Sequence, residues 1–433
     1  TVNSGGSLAV NGLTLVGSGE TYTSDHPIIL VNDGWVSLSY TTLSNHTNTG
    51  NGGGIQQLGG SVELTGSLSL NRCSASRGGG IYVTGGNTII RDYVSFAYCK
   101  ATTEGGALWV GDGTVDIETA GTMQGFIFEE GETKRYGGVI YQKGGTISCL
   151  AAIKPLNGFT NVDGAGVYIT GGSFTMNGGT ITGCQTTDGQ GGAVFVAGTA
   201  AGSTGTFTIN FGSIGSTALV YESEWNKAKN GAGIYVGSYG TAQLYGGSIF
   251  KNVASGSGGG VFIADSGTAI INGTTIGDSY STDYGNSSGE NGGGVYVQAT
   301  NSVSYGTLSM TNGLIGFNTA TGSGGGVYLE GGTCTLNGGQ IRGNKATENG
   351  GGVWMNAGAS KPARIDFRQS APGLCITENH AESGSGGGVW NETPTIDPFL
   401  RSGAVITTAD LNTFISGNMA GTPGISNDYN TAP

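Results

Sequence analysis

Gly324-Gly325-Gly326-Val327-Tyr328-Leu329 decides the fold, because the chain repeats it: Gly78-Gly79-Gly80-Ile81-Tyr82-Val83 is a second copy. In all, twelve glycine clusters are followed by an apolar residue, at Ile55, Ile81, Leu108, Ile140, Val167, Val194, Ile234, Val261, Val295, Val327, Val353 and Val389. The spacings are 26, 27, 32, 27, 27, 40, 27, 34, 32, 26 and 36 residues. A recurrent length of 26–27 with occasional insertions marks a solenoid whose repeats each form one structural unit stacked on the next.

Within a copy, three short strands are legible. The first follows the glycines, as in Val261-Phe262-Ile263. The second alternates apolar and polar residues: Val62/Leu64, Phe174/Met176, Phe207/Ile209, Leu308/Met310 and Cys334/Leu336. The third places an apolar residue three positions before Asn, at Ile249/Asn252, Ile315/Asn318, Ile341/Asn344, Ile376/Asn379 and Ile415/Asn418. Leu70/Cys73, Phe96/Cys99 and Ile181/Cys184 put a thiol in that slot. Alternation with period 2 gives each strand one buried face, and no segment sustains a helical period. Identical slots recurring once per repeat predict an all-β, right-handed parallel β-helix of about 13 rungs, each strand pairing with its equivalent one rung away. The expected division is Thr1–Gly50 as N-terminal rungs or an assembly segment, residues 51–402 as the repeats, and residues 403–433 as a terminal rung and tail, within one continuous solenoid.

Each slot carries an expectation. Asn252, Asn318, Asn344, Asn379 and Asn418 are expected to stack at one corner, their amides bonded to turn backbone and to one another. An aromatic follows the first apolar residue in eleven copies: Tyr82, Trp109, Tyr141, Tyr168, Phe195, Tyr235, Phe262, Tyr296, Tyr328, Trp354 and Trp390. Its apolar neighbours must face the core, so it is expected to point outward, as a stacked ladder, as an exposed contact stripe for glycan or protein, or both. Cys73 with Cys99, and Cys149 with Cys184, lie one repeat apart, a separation that admits cross-rung disulfides or stacked thiols. Cys334 reads as a small buried hydrophobe. No CxxC occurs and His26, His46 and His380 are the only histidines, so neither a zinc site nor any cofactor is expected.

Formal charge is −12 with 17 Lys and Arg and no basic run, which argues against nucleic acid and anionic lipid as partners. No apolar stretch reaches the ~20 residues that span a bilayer. The start, Thr1-Val2-Asn3-Ser4, does not read as a signal peptide and suggests a mature segment or a piece of a longer protein.

Glycan chemistry on a β-helix needs convergent carboxylates, with or without calcium and a base. Here Asp112, Asp116, Asp163, Asp188, Asp265, Asp278 and Asp283 are dispersed over several rungs. Arg364-Ile365-Asp366 is the one suggestive cluster, placed in an insertion, with Glu378 as a further candidate carboxylate. Glu129–Arg135 reads as a solvated loop. Ice binding would need a regular outward Thr ladder, and the outward positions are mixed. Insertions around Gly198–Asn230, Asp278–Asn291 and Asn356–Glu382 are where specific contacts are expected, with Tyr221, Trp225, Tyr280 and Tyr284 as candidate contact residues.

The pairing of Gly-Gly-Ala/Gly-apolar with apolar-x-x-Asn resembles the repeats of chlamydial polymorphic membrane proteins and related bacterial β-helical surface proteins. Gly191-Gly192-Ala193-Val194, Gly105-Gly106-Ala107-Leu108 and Ile341-Arg342-Gly343-Asn344 carry it, over nearly the whole chain. This chain departs in preferring Ile before Asn and Gly in the third glycine slot, and no C-terminal outer-membrane barrel is legible. The resemblance implies a secreted, surface-displayed stalk or adhesin. The expected function is therefore a non-enzymatic extracellular structural or adhesive rod, meeting other copies or domains at its ends. The rivals are a pectate-lyase-like polysaccharide lyase or hydrolase and a glycan-binding module.

Overall fold

The computed structural model describes residues 1–127, 135–154, 162–199, 202–218, 221–300, 303–356, 363–367, 374–391, 399–401, 404–405, 415–420 and 429–431. Contacts divide the chain into two units, Thr1–Gly212 and Ser213–Pro433. Both are parallel β-helix, and the one helical element among the described residues is the 3-10 turn Glu222–Glu224.

In the first unit the glycine-led strands pair in parallel, in register, turn upon turn. Ile55, Ile81, Leu108, Ile140, Val167 and Val194 occupy one row. The glycine-free strands Val2–Asn3 and Ile29–Asn32 join the same sheet, with Val31 against Gln57 and Val2 against Val31. In the second unit Ile234, Val261, Val295, Val327, Val353, Val389 and Tyr429 form the equivalent row. Among the described residues fifteen such strands are present rather than the expected thirteen or so, because turns at both ends of the sequence lack the glycine signature.

The second strand behaves as its alternation predicts: in Ser61–Thr65, Val62 and Leu64 are buried while Ser61, Glu63 and Thr65 lie half-buried on the outer side. The third strand carries the corner residue. In the first unit it runs straight on, as Ser69–Arg77 and Ser95–Glu104. In the second unit the corner interrupts it, and the residues beyond form a further sheet: Asn226–Ala228, Asn252–Ala254, Ser287–Ser288, Thr319–Ala320, Lys345–Ala346, His380–Ala381 and Met419–Ala420. This outer sheet was not legible in the sequence.

The core of each turn is a layer of aliphatic and aromatic side chains. Ile81, Val83, Ile90, Phe96 and Ala101 are wholly buried in one turn, and Val327, Leu329, Leu336, Ile341 and Ala346 are their buried equivalents in another. The glycine triplet serves the corner that closes each layer. Gly324 has φ +68°, which a Cβ would strain, and a Cβ on Gly325 would lie 2.6 Å from the Gly351 carbonyl oxygen of the next turn. A Cβ on Gly326 would meet Gly352 O at 2.6 Å and the Asn344 amide nitrogen at 2.9 Å. In the turn that starts at Leu108 the third slot holds Ala107, and there the corner register position is Gly125, which has no side chain to meet it.

Two expectations need correcting. Arg364-Ile365-Asp366 does not lie in an insertion: Arg364–Phe367 is a regular second strand, with Ile365 against Cys334 and Asp366 against Thr335. Residues 374–382 likewise return to the regular path through the strands Cys375–Thr377 and His380–Ala381. The acidic run expected as a loop lies outside the described residues apart from Arg135, as does most of 403–433, whose described parts form strands of the last turn.

Candidate functional site

The corner of the second unit is a continuous polar ladder inside an apolar layer. Asn226, Asn252, Asn286, Asn318, Asn344, Asn379 and Asn418 are all wholly buried. Each side-chain amide donates to the Oδ1 of the next asparagine at 2.8–3.0 Å. From Asn252 to Asn379, each backbone N–H donates to that same Oδ1 at 2.9–3.2 Å. From Asn252 onward the amide also donates to the carbonyl of the apolar residue one turn back, from Ile214 to Ile376, at 2.8–3.1 Å. From Asn252 to Asn418 every amide is thus satisfied within the protein, which is the condition for burying it. The five asparagines expected there are present; Asn226 and Asn286 are additional.

Sequence reasoning missed those two because insertions separate them from their apolar partners, Ile214 and Ile276. In the turns without such an insertion the residue before the corner carries a further signal. Asn45, Arg72, Tyr98, Lys251, Phe317 and Glu378 all have φ between +51° and +58°, and Gly183, Gly343 and Gly417 hold the same slot with φ +66° to +69°. There a left-handed residue turns the chain into the corner, whereas Trp225, before Asn226, has φ −80°. The left-handed residue's side chain stands outward, as with Arg72 above the Tyr98 ring at 5.5 Å.

In the first unit the same corner is filled differently. His46 pairs in register with Cys73, and Cys99 is one turn further. His46 Nδ1 accepts the Ser18 N–H at 3.1 Å, so Nε2 carries the proton and donates to the His26 carbonyl at 2.7 Å. Cys73 and Cys99 donate to the Leu43 and Leu70 carbonyls of the preceding turns, at 3.6 and 3.4 Å, the bond that the amides make in the other unit. All six cysteines are free, so the cross-rung disulfides are not present. Cys149 and Cys184 are not slot-mates either: Cys149 pairs with Met176 in the second-strand row, whereas Cys184 lies at the corner beside Gly166. The neighbouring Cys99 thiol and burial push the Cys73 thiol well up, and burial alone pushes Cys149 and Cys334 up to about 12. These are structural thiols, not nucleophiles.

The aromatic row points away from the core, as expected, but it is not an exposed stripe. Tyr82, Trp109, Tyr141 and Tyr168 are only 5–9% exposed. Their rings stack with each other and with Phe195 at centroid distances of 4.4–6.2 Å. Glu104 covers the stack, accepting from Trp109 Nε1 at 2.9 Å and pairing with Arg77 at 2.9 Å. In the second unit Tyr235, Phe262, Tyr296, Tyr328 and Trp354 stack at 4.0–5.0 Å; Phe262 and Trp354 are buried, while Tyr235, Tyr296, Tyr328 and Trp390 are half-buried. Each ring covers one face of each neighbour, so rings inside a row present mainly their edges.

Two of the loop candidates are exposed. Tyr221 and Tyr280 are 67% and 85% exposed. Trp225 is held in place, donating to the Ala218 carbonyl at 2.6 Å with Lys251 Nζ 4.4 Å from its ring centroid. Tyr284 is half-buried, and its carbonyl accepts the Lys251 N–H. Two grooves adjoin here on the outer sheet. One, of about 400 Å³, is lined by Ser287, Thr319, Thr321, Lys345, Thr347 and Glu382 among others. The other, of about 450 Å³, is lined by Tyr280, Phe317, Lys345, Glu378 and His380 among others. Lys345 pairs with Glu382 at 2.5 Å and Arg342 with Glu378 at 2.8 Å.

Among the described residues no three His, Cys, Asp or Glu side chains converge as a metal site would require, and no helix is long and apolar enough to cross a membrane. Compared with known proteins, the chain matches no family model, no curated sequence and no solved structure.

Proposed function

We propose that this chain is a non-enzymatic extracellular structural and adhesive protein, a β-helical scaffold displayed on a bacterial surface. The observation that carries this reading is the saturation of the corner. The asparagines of the second unit and the thiols of the first spend their donors on the adjacent turns. The aromatic rows spend their faces on one another. Catalytic groups need unspent valences aimed at a substrate, whereas these repeated groups hold turns in register. The carboxylate Glu378, a candidate for glycan chemistry, is held in an ion pair with Arg342.

A structural rod also needs a way to meet its neighbours. We take such units to join other copies or domains into a stalk or filament. Immunogold labelling of intact cells against permeabilised cells tests the proposal. Surface-borne label in extended arrays is expected, and label confined to permeabilised cells would overturn it.

A further inference from the structure

We propose that the adjoining grooves on the outer sheet of the second unit form a binding site for a neutral oligosaccharide. This rests on the non-enzymatic adhesive reading and gives it a ligand class.

The site is built by one break in the repeat. The insertion between Ile276 and Asn286 carries Tyr280 out to 85% exposure, beside a floor made of regular turns. That floor is the outward row Val253, Ser287, Thr319, Lys345 and His380, in register across five strands. Four strand steps give a length of roughly 19 Å, enough for several linked sugar rings. Lys345 lines both grooves and so lies where they meet.

The chemistry selects the ligand. Tyr280 and Phe317 offer aromatic surface for the C–H faces of a sugar. The lining includes the hydroxyls of Ser281, Thr282, Ser287, Thr319, Thr321 and Thr347, and hydroxyls both donate and accept. His380 projects from the outward row, and its enclosed Nε2 has no hydrogen-bond partner, a deficiency that a sugar hydroxyl entering beside it would meet. The cations do not select an acid, because Lys345 and Arg342 are already neutralised by Glu382 and Glu378. An acidic glycan would meet two carboxylates with no spare cation at its disposal; a neutral one displaces no ion pair.

The test is calorimetric titration of the intact chain with cellotetraose, maltotetraose and chitotetraose, with tetragalacturonate as the acidic comparison. At least one neutral tetrasaccharide is expected to bind. Tyr280→Ala is expected to weaken it roughly tenfold or more, and Phe317→Ala to weaken it as well. Tyr239→Ala, an exposed aromatic outside both grooves, is expected to leave binding unchanged. An unaltered thermal midpoint for Tyr280→Ala confirms that the variant is folded. The proposal fails if no neutral tetrasaccharide binds, if only tetragalacturonate binds, or if binding ignores both groove variants. Chromatography of the same mixtures separates the two readings: new products would overturn the non-enzymatic function and leave the groove standing, whereas absent binding would remove the groove alone.

Discussion

Replacing Asn318 by Ala removes the middle of the corner ladder, and the structure sets the size of the effect. The Asn318 Oδ1 accepts the Asn286 backbone N–H at 3.1 Å and its side-chain amide at 2.9 Å. Its Nδ2 donates to Asn344 Oδ1 at 3.0 Å and to the Ile276 carbonyl at 2.9 Å. Asn344 Oδ1 keeps a donor in the variant, because the Asn318 backbone N–H also reaches it. Two groups lose their partner: the Asn286 N–H and one Asn286 amide proton; the Ile276 carbonyl stays in the parallel ladder with Ile315. A buried orphan costs about 1–3 kcal/mol, so two cost roughly 2–6 kcal/mol. A water entering the vacated space can recover part of this, which brings the expectation to the low half, on the order of 3 kcal/mol. Urea unfolding followed by far-UV circular dichroism measures it, with Ser309→Ala, on the outer face of a second strand, as the reference substitution. Because solenoids unfold by neighbouring turns, fluorescence should report the same transition for the two-state value to be used. A loss below about 1 kcal/mol would refute the reasoning, since a ladder that can be cut so cheaply does not hold the turns.

Further expectations follow from other slots. Gly326→Ala places a methyl 2.6 Å from the Gly352 carbonyl oxygen and 2.9 Å from Asn344 Nδ2, and should lower the urea midpoint by an amount equivalent to about 1–3 kcal/mol of overpacking. Tyr296→Leu breaks stacks with Phe262 at 4.8 Å and Tyr328 at 4.9 Å. With ~0.5–1.5 kcal/mol per pair it should cost about 1–3 kcal/mol, against less than ~0.5 for the exposed Tyr245→Leu. The buried thiols fix an alkaline limit. In the unfolded chain a thiol ionises near ~8.5, while Cys149 and Cys334 are held up to about 12 in the fold. Above pH ~8.5 the unfolded state therefore binds fewer protons, so stability is intact below that pH and falls as pH rises toward 12, by up to ~1.4 kcal/mol per pH unit for each thiol. Stability curves at pH 7 to 10 test the sign; a rise with pH would contradict it. Native protein treated with iodoacetamide at pH 8 should leave Cys73, Cys99, Cys149, Cys184 and Cys334 unmodified by peptide mass mapping.

The architecture was legible because a solenoid writes each layer into the sequence once per turn. Val62/Leu64 and Ile341/Asn344 needed only period-2 alternation and a recurring offset to be placed. Terminal rungs were expected within Thr1–Gly50 and 403–433, but the strands at Ile29 and Tyr429 could not be placed there because no glycine triplet precedes them. Asn226 and Asn286 escaped because insertions lengthen the path from Ile214 and Ile276, although the corner itself is unchanged. The direction of the aromatic slot could be read from its apolar flanks, but its burial could not. Exposure of Tyr82 or Trp109 depends on the ring one turn away and on the Arg77–Glu104 pair above it, which no single repeat encodes. The thiols misled for a related reason. Equivalent slots place Cys73 and Cys99 within reach of one another, yet each thiol has a carbonyl of the preceding turn as its partner. The grooves were half legible: Tyr280 was singled out as a loop aromatic, whereas Lys345 and His380 face them only because an unforeseen outer sheet lines up their strands.

The central claim is that the repeated side chains are consumed in holding turns together and perform no chemistry. Its most direct measurement is incubation of the intact chain with a panel of acidic and neutral polysaccharides, with and without calcium, followed by chromatography and mass spectrometry of the products. The account predicts that every substrate is recovered at its original length. Shortened or unsaturated products that disappear with Glu378→Gln or Asp366→Asn would contradict it.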